Sequence, residues 1–263
     1  MNSHNTTLNI PYLSKFSLQN KIIFISASSR GLGLEMAYAL AQSGATVYIN
    51  GRNQEKLAQV VEEAQSKGIS LLAYEGDMSD QYCIDQLMLF LKSMNQNCHV
   101  LINNLGLRLR ESWEKTHFVQ MNEMIQTNLL APMYLSQQMA KQMQEGGRII
   151  SISSVAGRIA RQGDAIYPIS KLGLIGMTRS LAVEYATKGI CVNAIAPGAF
   201  LTESNEALAV DPIKGSHMLN RIPMKRWGNP EEIGGLAVFL AGDLSAYITG
   251  QVFTIDGGLS VLF

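Results

Sequence analysis

Cysteine is scarce in this chain, and what there is lies scattered. Cys83, Cys98 and Cys191 are odd in number and far apart, with no C-x-x-C pair, so neither a disulfide framework nor a thiolate metal site is indicated. Reduced, buried thiols in a cytoplasmic protein are expected instead. His4, His99, His117 and His217 share no ligand spacing, and no metal is assigned. An excess of either charge is missing too. Lys+Arg and Asp+Glu both number 21, which removes the field that would draw nucleic acid or an anionic membrane. No run of 18 apolar residues occurs, so no spanning helix is predicted. The first 17 residues, MNSHNTTLNIPYLSKFS, have neither a basic start nor an apolar stretch of signal-peptide type, and they read as a polar arm on a soluble protein.

What is present is an alternation of short apolar runs with longer stretches of helical period. Strands are predicted at 21–27, 45–50, 70–76, 99–104, 147–154, 190–197 and 251–256, and helices near 32–43, 53–67, 80–94, 113–144, 165–187 and 230–241. Strands that are apolar on both faces and separated by helices pair in parallel, because the crossover helices cover both sheet faces. The expected fold class is α/β: a single-domain, Rossmann-type, doubly wound parallel sheet of about seven strands, spanning 18–263. The stretch 198–229 lacks clear periodicity. Lying beyond the carboxyl end of the sixth strand, it is placed to be a substrate lid.

Between the first strand and first helix runs SASSRGLG, residues 26–33. Small residues let backbone approach a ligand closely, and a helix N-terminus offers unpaired N–H groups and a positive dipole end, which suit a pyrophosphate. The second strand ends on Gly51 and Arg52, where an NAD enzyme usually carries an acidic side chain for the ribose 2′-hydroxyl. Arg30 adds a second cation at the same end, and two guanidiniums can fork onto a 2′-phosphate. NADP is therefore expected in preference to NAD.

The turn resembles T-G-x-x-x-G-x-G, the cofactor motif of the short-chain dehydrogenase/reductase family, with Gly31 and Gly33 matching and Ser26 and Ala27 in place of Thr and Gly. Alanine at position 27 costs little at negative φ and more at positive φ. By the same resemblance Ser28, Leu32, Asp77 and Met78 belong to the cofactor site, Asp77 as the adenine partner. NNLG at 103–106 is similar to the family's N-N-A-G, bringing in Asn104 and Gly106. Its Leu105 either crowds the adenosine ribose or packs beneath it. IAPGAFLT is similar to P-G-x-x-x-T and implies Pro197, Gly198 and Thr202 at the nicotinamide.

YPISK sets Tyr167 and Lys171 at i, i+4 on one helix face, with Pro168 tolerable only at a helix start. With Ser154 and Asn128 the pair resembles the family's catalytic set. A free phenol near pKa 10 holds its proton too tightly to act as a base at neutral pH. An ammonium at roughly 4 Å, in an effective dielectric of about 20, favours phenolate by about 4 kcal/mol, on the order of three pKa units. Lys171 is thus expected to bring Tyr167 near neutrality. Ser154 would hold the substrate oxygen, and Asn128 would anchor a water leading protons to the lysine. The reaction implied is hydride transfer between a nicotinamide and a secondary alcohol or ketone.

NNLGLRLRESW, with Arg108 and Arg110, together with Arg161 and RWGNPEEIGGLAVFL, resembles the gluconate 5-dehydrogenase branch, implying a sugar acid whose carboxylate an arginine would hold bidentately. GGRIISISSVAG and YITGQVFTIDGG also resemble 3-oxoacyl-carrier-protein reductases, which need a basic docking patch; Glu145 leans against that alternative. Loss of turnover, leaving a nucleotide-binding regulator, is the third reading. The resemblance also implies a homotetramer, and GLSVLF at the C-terminus is too apolar to leave wholly in water.

Overall fold

The computed structural model describes residues 12–262. Strands β1 Ile22–Ile25, β2 Thr46–Gly51, β3 Leu72–Glu75, β4 Val100–Asn103, β5 Arg148–Ile152, β6 Cys191–Pro197 and β7 Val252–Ile255 form one sheet in the order β3-β2-β1-β4-β5-β6-β7, every pair parallel. Six strands fall inside their expected runs and β2 extends one residue beyond its own, to Gly51, and the expected doubly wound sheet is the one found. The polar arm lies mostly outside the described residues, as do His4 and Phe263; within it Leu13–Phe16 make one 3-10 turn.

The double apolar faces explain the layering. In β1, Ile23 and Ile25 join one buried cluster and Phe24 the other; in β4, Val100 and Ile102 face one way and Leu101 the other. Successive side chains alternate across a strand, so both faces must be covered by helices. Helices α1 Gly31–Gln42, α2 Gln54–Ser66 and α9 Gly234–Ala241 supply buried residues to the first face, while α3 Gln81–Ser93, α5 Ala131–Gln142 and the C-terminal part of α6 Ile166–Tyr185 do so for the second.

Two expected elements came out differently. The helical region 113–144 is broken into a 3-10 turn, α4 Phe118–Ile125, a π-helical turn Gln126–Leu130 and α5. The π turn puts Asn128 at full burial. It meets α6 where Gly173 leaves room: a Cβ there would lie 2.7 Å from Leu129 Cδ2. The stretch 198–229 contains two short helices, α7 Glu203–Ala209 and α8 Lys214–Arg221, each of only two turns and too short to stand out as periodicity.

Because β4 lies on the opposite side of β1 from β2, the crossovers diverge at the carboxyl ends of β1 and β4. Ligands of such sheets bind at that switch point. A cavity of about 610 Å³ opens there, walled by the β1–α1 turn and the residues just after β4, β5 and β6.

Candidate active site

The β1–α1 turn is fixed by buried polar groups. Asn50, 2% exposed at the end of apolar β2, accepts from the Ala27 amide (2.9 Å) and donates to the Tyr74 and Gly76 carbonyls (3.1 and 3.0 Å). Asn104 donates to the Ala27 carbonyl (2.8 Å). Held from both sides, Ala27 sits at φ +49°, the costlier of its two options, at about 1 kcal/mol. Gly33 has no alternative: a Cβ would lie 2.5 Å from Asn104 Nδ2 and 2.9 Å from Ser28 Cα. Gly31, at φ +56°, opens α1 and faces Thr202 across the cavity. The exposed N-terminus of α1 and this cramped, side-chain-free approach fit a pyrophosphate.

Ser26, Ser28 and Met78, expected as cofactor contacts, are not on the cavity wall. Ser26 receives the Asn104 and Leu105 amides (3.0 and 3.1 Å), so it ties β1 to β4. Ser28 donates to the Ile25 carbonyl at 2.7 Å. Met78 is buried in the second core cluster, and Leu105 packs against that cluster rather than into the cavity. Arg30, Leu32, Asn104, Gly106, Pro197, Gly198 and Thr202 do line it.

At the outer end Arg52 reaches Asp77 at 3.6 Å and is largely exposed. Partial burial raises the Asp77 pKa, but the Ser79 hydroxyl and amide and the Arg52 charge outweigh it, holding the carboxyl below its usual range. Ser29, absent from the expected set, lies beside them: a Cβ on Gly51 would sit 3.3 Å from its Oγ. Arg30 lies 3.7 Å from Glu203 of α7, an exposed pair of little stability value.

At the inner end Ser154, Tyr167 and Lys171 converge. Ser154 caps a 3-10 turn, accepting from the Ala156 amide at 3.1 Å, and its hydroxyl lies near the Tyr167 phenol. Lys171 is buried and donates to the Ile152 carbonyl at 2.8 Å; burial drops its pKa to about 8. Its Nζ lies 5.7 Å from the Tyr167 ring centroid. Asn128 accepts from the Leu107 amide (2.7 Å) and donates to the Leu107 carbonyl and Ser170 Oγ (2.8 and 3.0 Å). Its side chain is committed to holding the loop after β4 against α6, with no donor spare for a water.

The expected tuning of Tyr167 by Lys171 is corrected here. Burial pushes the phenol above its ordinary value, and the cation pulling hardest against it is Arg108, followed by the nearby Ser154 hydroxyl; Asp164 pushes it up and Arg110 down. Lys171 points at a backbone carbonyl, whereas the Arg108 guanidinium stacks 4.6 Å from the Tyr167 centroid. The phenol therefore holds its proton more tightly than a free tyrosine does.

Arg108 is held by Asp164, a 1%-exposed carboxylate that the sequence reading missed, and Arg161 reaches the same Oδ2 at 3.8 Å. Among the described residues the Arg110 guanidinium donates a hydrogen bond to Asn205 Oδ1 alone, at 3.4 Å, and partial burial beside Arg108 and Arg161 lowers its pKa. Two guanidiniums thus hold one carboxylate, with that of Arg110 nearby. No helix among the described residues is long and apolar enough to cross a membrane.

A family model described as enoyl-(acyl carrier protein) reductase matches residues 26–260. The gluconate 5-dehydrogenase of Gluconobacter oxydans is 33% identical over 248 residues, 94% of this chain and 97% of its own. A 3-oxoacyl-(acyl-carrier-protein) reductase of Aquifex aeolicus is 33% identical, covering 93% and 99%. Among solved structures, a gluconate 5-dehydrogenase from Burkholderia cenocepacia in complex with NADP and tartrate superposes with a TM-score of 0.90 at 30% identity, over 96% of this chain and all of that one. With the model match spanning nearly the whole sheet and these relatives covering nine-tenths of the sequence, the chain belongs to the short-chain dehydrogenase/reductase family of nicotinamide-dependent oxidoreductases.

Proposed function

We propose that the protein is an NADP-dependent oxidoreductase that interconverts a secondary alcohol and a ketone on a sugar acid of the 5-ketogluconate type. The observation that carries the substrate is the charge imbalance at the inner end of the cavity, where Arg108, Arg110 and Arg161 face the single carboxylate of Asp164. These partly exposed guanidiniums outnumber the acidic group that they meet, a surplus that a bound anion would complete, and Arg110 is the guanidinium without an acidic partner among the described residues. A carboxylate held there would leave the carbonyl farther along the carbon chain to meet Ser154 and Tyr167.

For the cofactor, Arg30 and Arg52 would meet the 2′-phosphate and the α1 N-terminus the pyrophosphate, while Pro197, Gly198 and Thr202 border the nicotinamide position. NADPH, when bound, supplies the hydride. The Ser154 hydroxyl donates to the carbonyl oxygen and orients it. Tyr167 gives its proton to that oxygen as it becomes an alkoxide, and Arg108 above the ring eases the phenolate that remains. Lys171, next to the phenol, is the group placed to return a proton. In the oxidative direction the phenolate must form first, so oxidation should accelerate as pH rises.

The expected homotetramer belongs to the same reading. Phe118 and Val119 on α4, Ile169 and Leu172 on α6, and Val261 and Leu262 near the C-terminus are exposed apolar side chains suited to contacts between copies. Reduction of a 3-oxoacyl thioester is the second reading, supported by the equal identity to the Aquifex aeolicus reductase.

The test is Arg110→Ala. Losing one charge-assisted hydrogen-bonding partner should raise KM for a ketogluconate roughly 10- to 100-fold, with little change for a neutral ketone. Equal effects on both substrates would remove Arg110 from carboxylate binding.

A further inference from the structure

Asp164 stands three residues before Tyr167, just ahead of α6, and only 1% of it is exposed. A buried carboxylate is costly unless it is paired. Its Oδ2 accepts a hydrogen bond from Arg108 Nη2, whereas Arg161 Nε comes no nearer to that oxygen than 3.8 Å, beyond hydrogen-bond reach. Its Oδ1 has no hydrogen-bond partner among the described residues. The Arg108 guanidinium is therefore the group that holds this charge.

Arg108 in turn is fixed at both ends. Its backbone follows Leu107, whose amide and carbonyl are both taken by the Asn128 side chain, at 2.7 and 2.8 Å. Its tip is tied to Asp164, and between these anchors the guanidinium lies 4.6 Å from the Tyr167 ring centroid. The side chain is still 34% open to solvent. Stacking on a ring at a partly exposed site is a weak hold for a long, freely rotating side chain, and Asp164 is the hydrogen-bond partner of this guanidinium among the described residues. Arg110, which meets no acidic group there, is left for the substrate's anion.

We propose that Asp164 is a positioning residue for the proton-transfer step: it holds the Arg108 guanidinium against the Tyr167 ring, where the cation offsets the charge of the phenolate. It acts through Arg108 and needs no contact with the substrate. The inference rests on the acid/base reading of Tyr167 but not on the identity of the acid. The charged groups around the phenol are Arg108 and Arg110 from the loop after β4, Asp164 ahead of α6 and Lys171 within it; Arg30 and Glu203, elsewhere on the cavity wall, pair with each other. By its own charge Asp164 opposes the phenolate, and by holding Arg108 it favours it; Arg108 has the larger pull of the two. The two roles therefore give opposite signs when Asp164 is removed.

The test follows kcat/KM against pH for the NADP-dependent oxidation of gluconate and of cyclohexanol, an alcohol without an anion. Asp164→Ala and Arg108→Met are each expected to slow oxidation of both alcohols roughly tenfold or more at neutral pH, the size expected when an ionising group loses a neighbouring cation. The deficit should close as pH rises and the phenolate forms unaided. In the Arg108→Met background, Asp164→Ala should recover part of the loss, because only its own charge is left to act. The shape of a pH profile does not depend on how much enzyme is folded, and Asp164→Asn, which keeps the volume, replaces the alanine variant if that one does not fold.

Faster oxidation on the acid side in Asp164→Ala, or a deficit of the same size at every pH, would overturn the proposal and leave Asp164 as a structural partner of two arginines. Tyr167→Phe separates this outcome from failure of the reading beneath it. If that variant still oxidises cyclohexanol, or the wild-type enzyme oxidises neither alcohol, the acid/base reading fails and the proposal with it. If it is inactive while the Asp164→Ala deficit is flat, positioning alone fails.

Discussion

The two ends of the cavity are built from different materials. At the cofactor end the shape is made by backbone: Gly31, Gly33, Gly51 and a turn pinned by Asn50, Asn104 and two buried serines. At the substrate end it is made by long side chains that hold one another, Arg108 on Tyr167, Asp164 on Arg108 and Arg161, Asn205 on Arg110. A backbone-made site is steric and tolerates almost no added atom. A charge-made site tolerates added atoms but depends on every partner, because removing one leaves a buried charge uncompensated.

The sharpest way to break that contrast is to add one carbon at the cofactor end. Gly33→Ala would drive a Cβ into Asn104 and the Ser28 backbone, at 2.5 and 2.9 Å, and neither can retreat without unpinning the turn. Cofactor affinity should fall on the order of a hundredfold or more, with about 1–3 kcal/mol lost in stability as for other overpacked sites. Fluorescence titration with NADPH and a thermal melt read both. Unchanged affinity would mean that the turn is softer than its hydrogen bonds imply.

Next in size is the one electrostatic element of that end. Arg52→Asp would set a second carboxylate beside Asp77 and repel a 2′-phosphate, so the NADP over NAD preference should drop by about 10- to 100-fold. A preference that persists would assign the phosphate to Arg30 and Ser29.

The smallest expected effect sharpens the comparison. Ala27→Gly removes the Cβ from a residue at φ +49°. Relief of about 1 kcal/mol of strain is partly offset by the extra freedom glycine brings to the unfolded chain, so the melting temperature should rise by a few degrees at most. A lowered melting temperature would show that the alanine methyl contributes packing not evident from its surroundings.

The same contrast explains what the sequence revealed. The sheet was legible because each strand is apolar on both faces, and the glycine turn because steric demands leave a fixed residue type at a fixed spacing. Tyr167 and Lys171 were legible by their spacing on α6. Asp164 and Asn205 were not, because their contacts with Arg108 and Arg110 join positions far apart in the chain, and nothing local marks an aspartate in RQGDA as buried. The role given to Lys171 failed for a related reason. An i, i+4 spacing brings two side chains onto one face, but it does not say that the ammonium will turn to the Ile152 carbonyl while an arginine 59 positions upstream of Tyr167 takes the place over the ring. Asn50 could have been found, since a lone amide at the end of the apolar run ATVYIN must have partners if that run is buried.

The central claim is that Tyr167 protonates the ketone oxygen of a sugar acid as NADPH reduces the carbonyl. Its most direct test is the steady-state oxidation of NADPH and NADH against 5-ketogluconate, an acetoacetyl thioester and a simple diketone, by the wild-type enzyme and Tyr167→Phe. The account predicts turnover of the ketogluconate with NADPH, and loss of about a thousandfold or more in kcat for the phenylalanine variant with cofactor binding nearly intact. Preference for the thioester, or activity that survives the loss of the phenol, would contradict it.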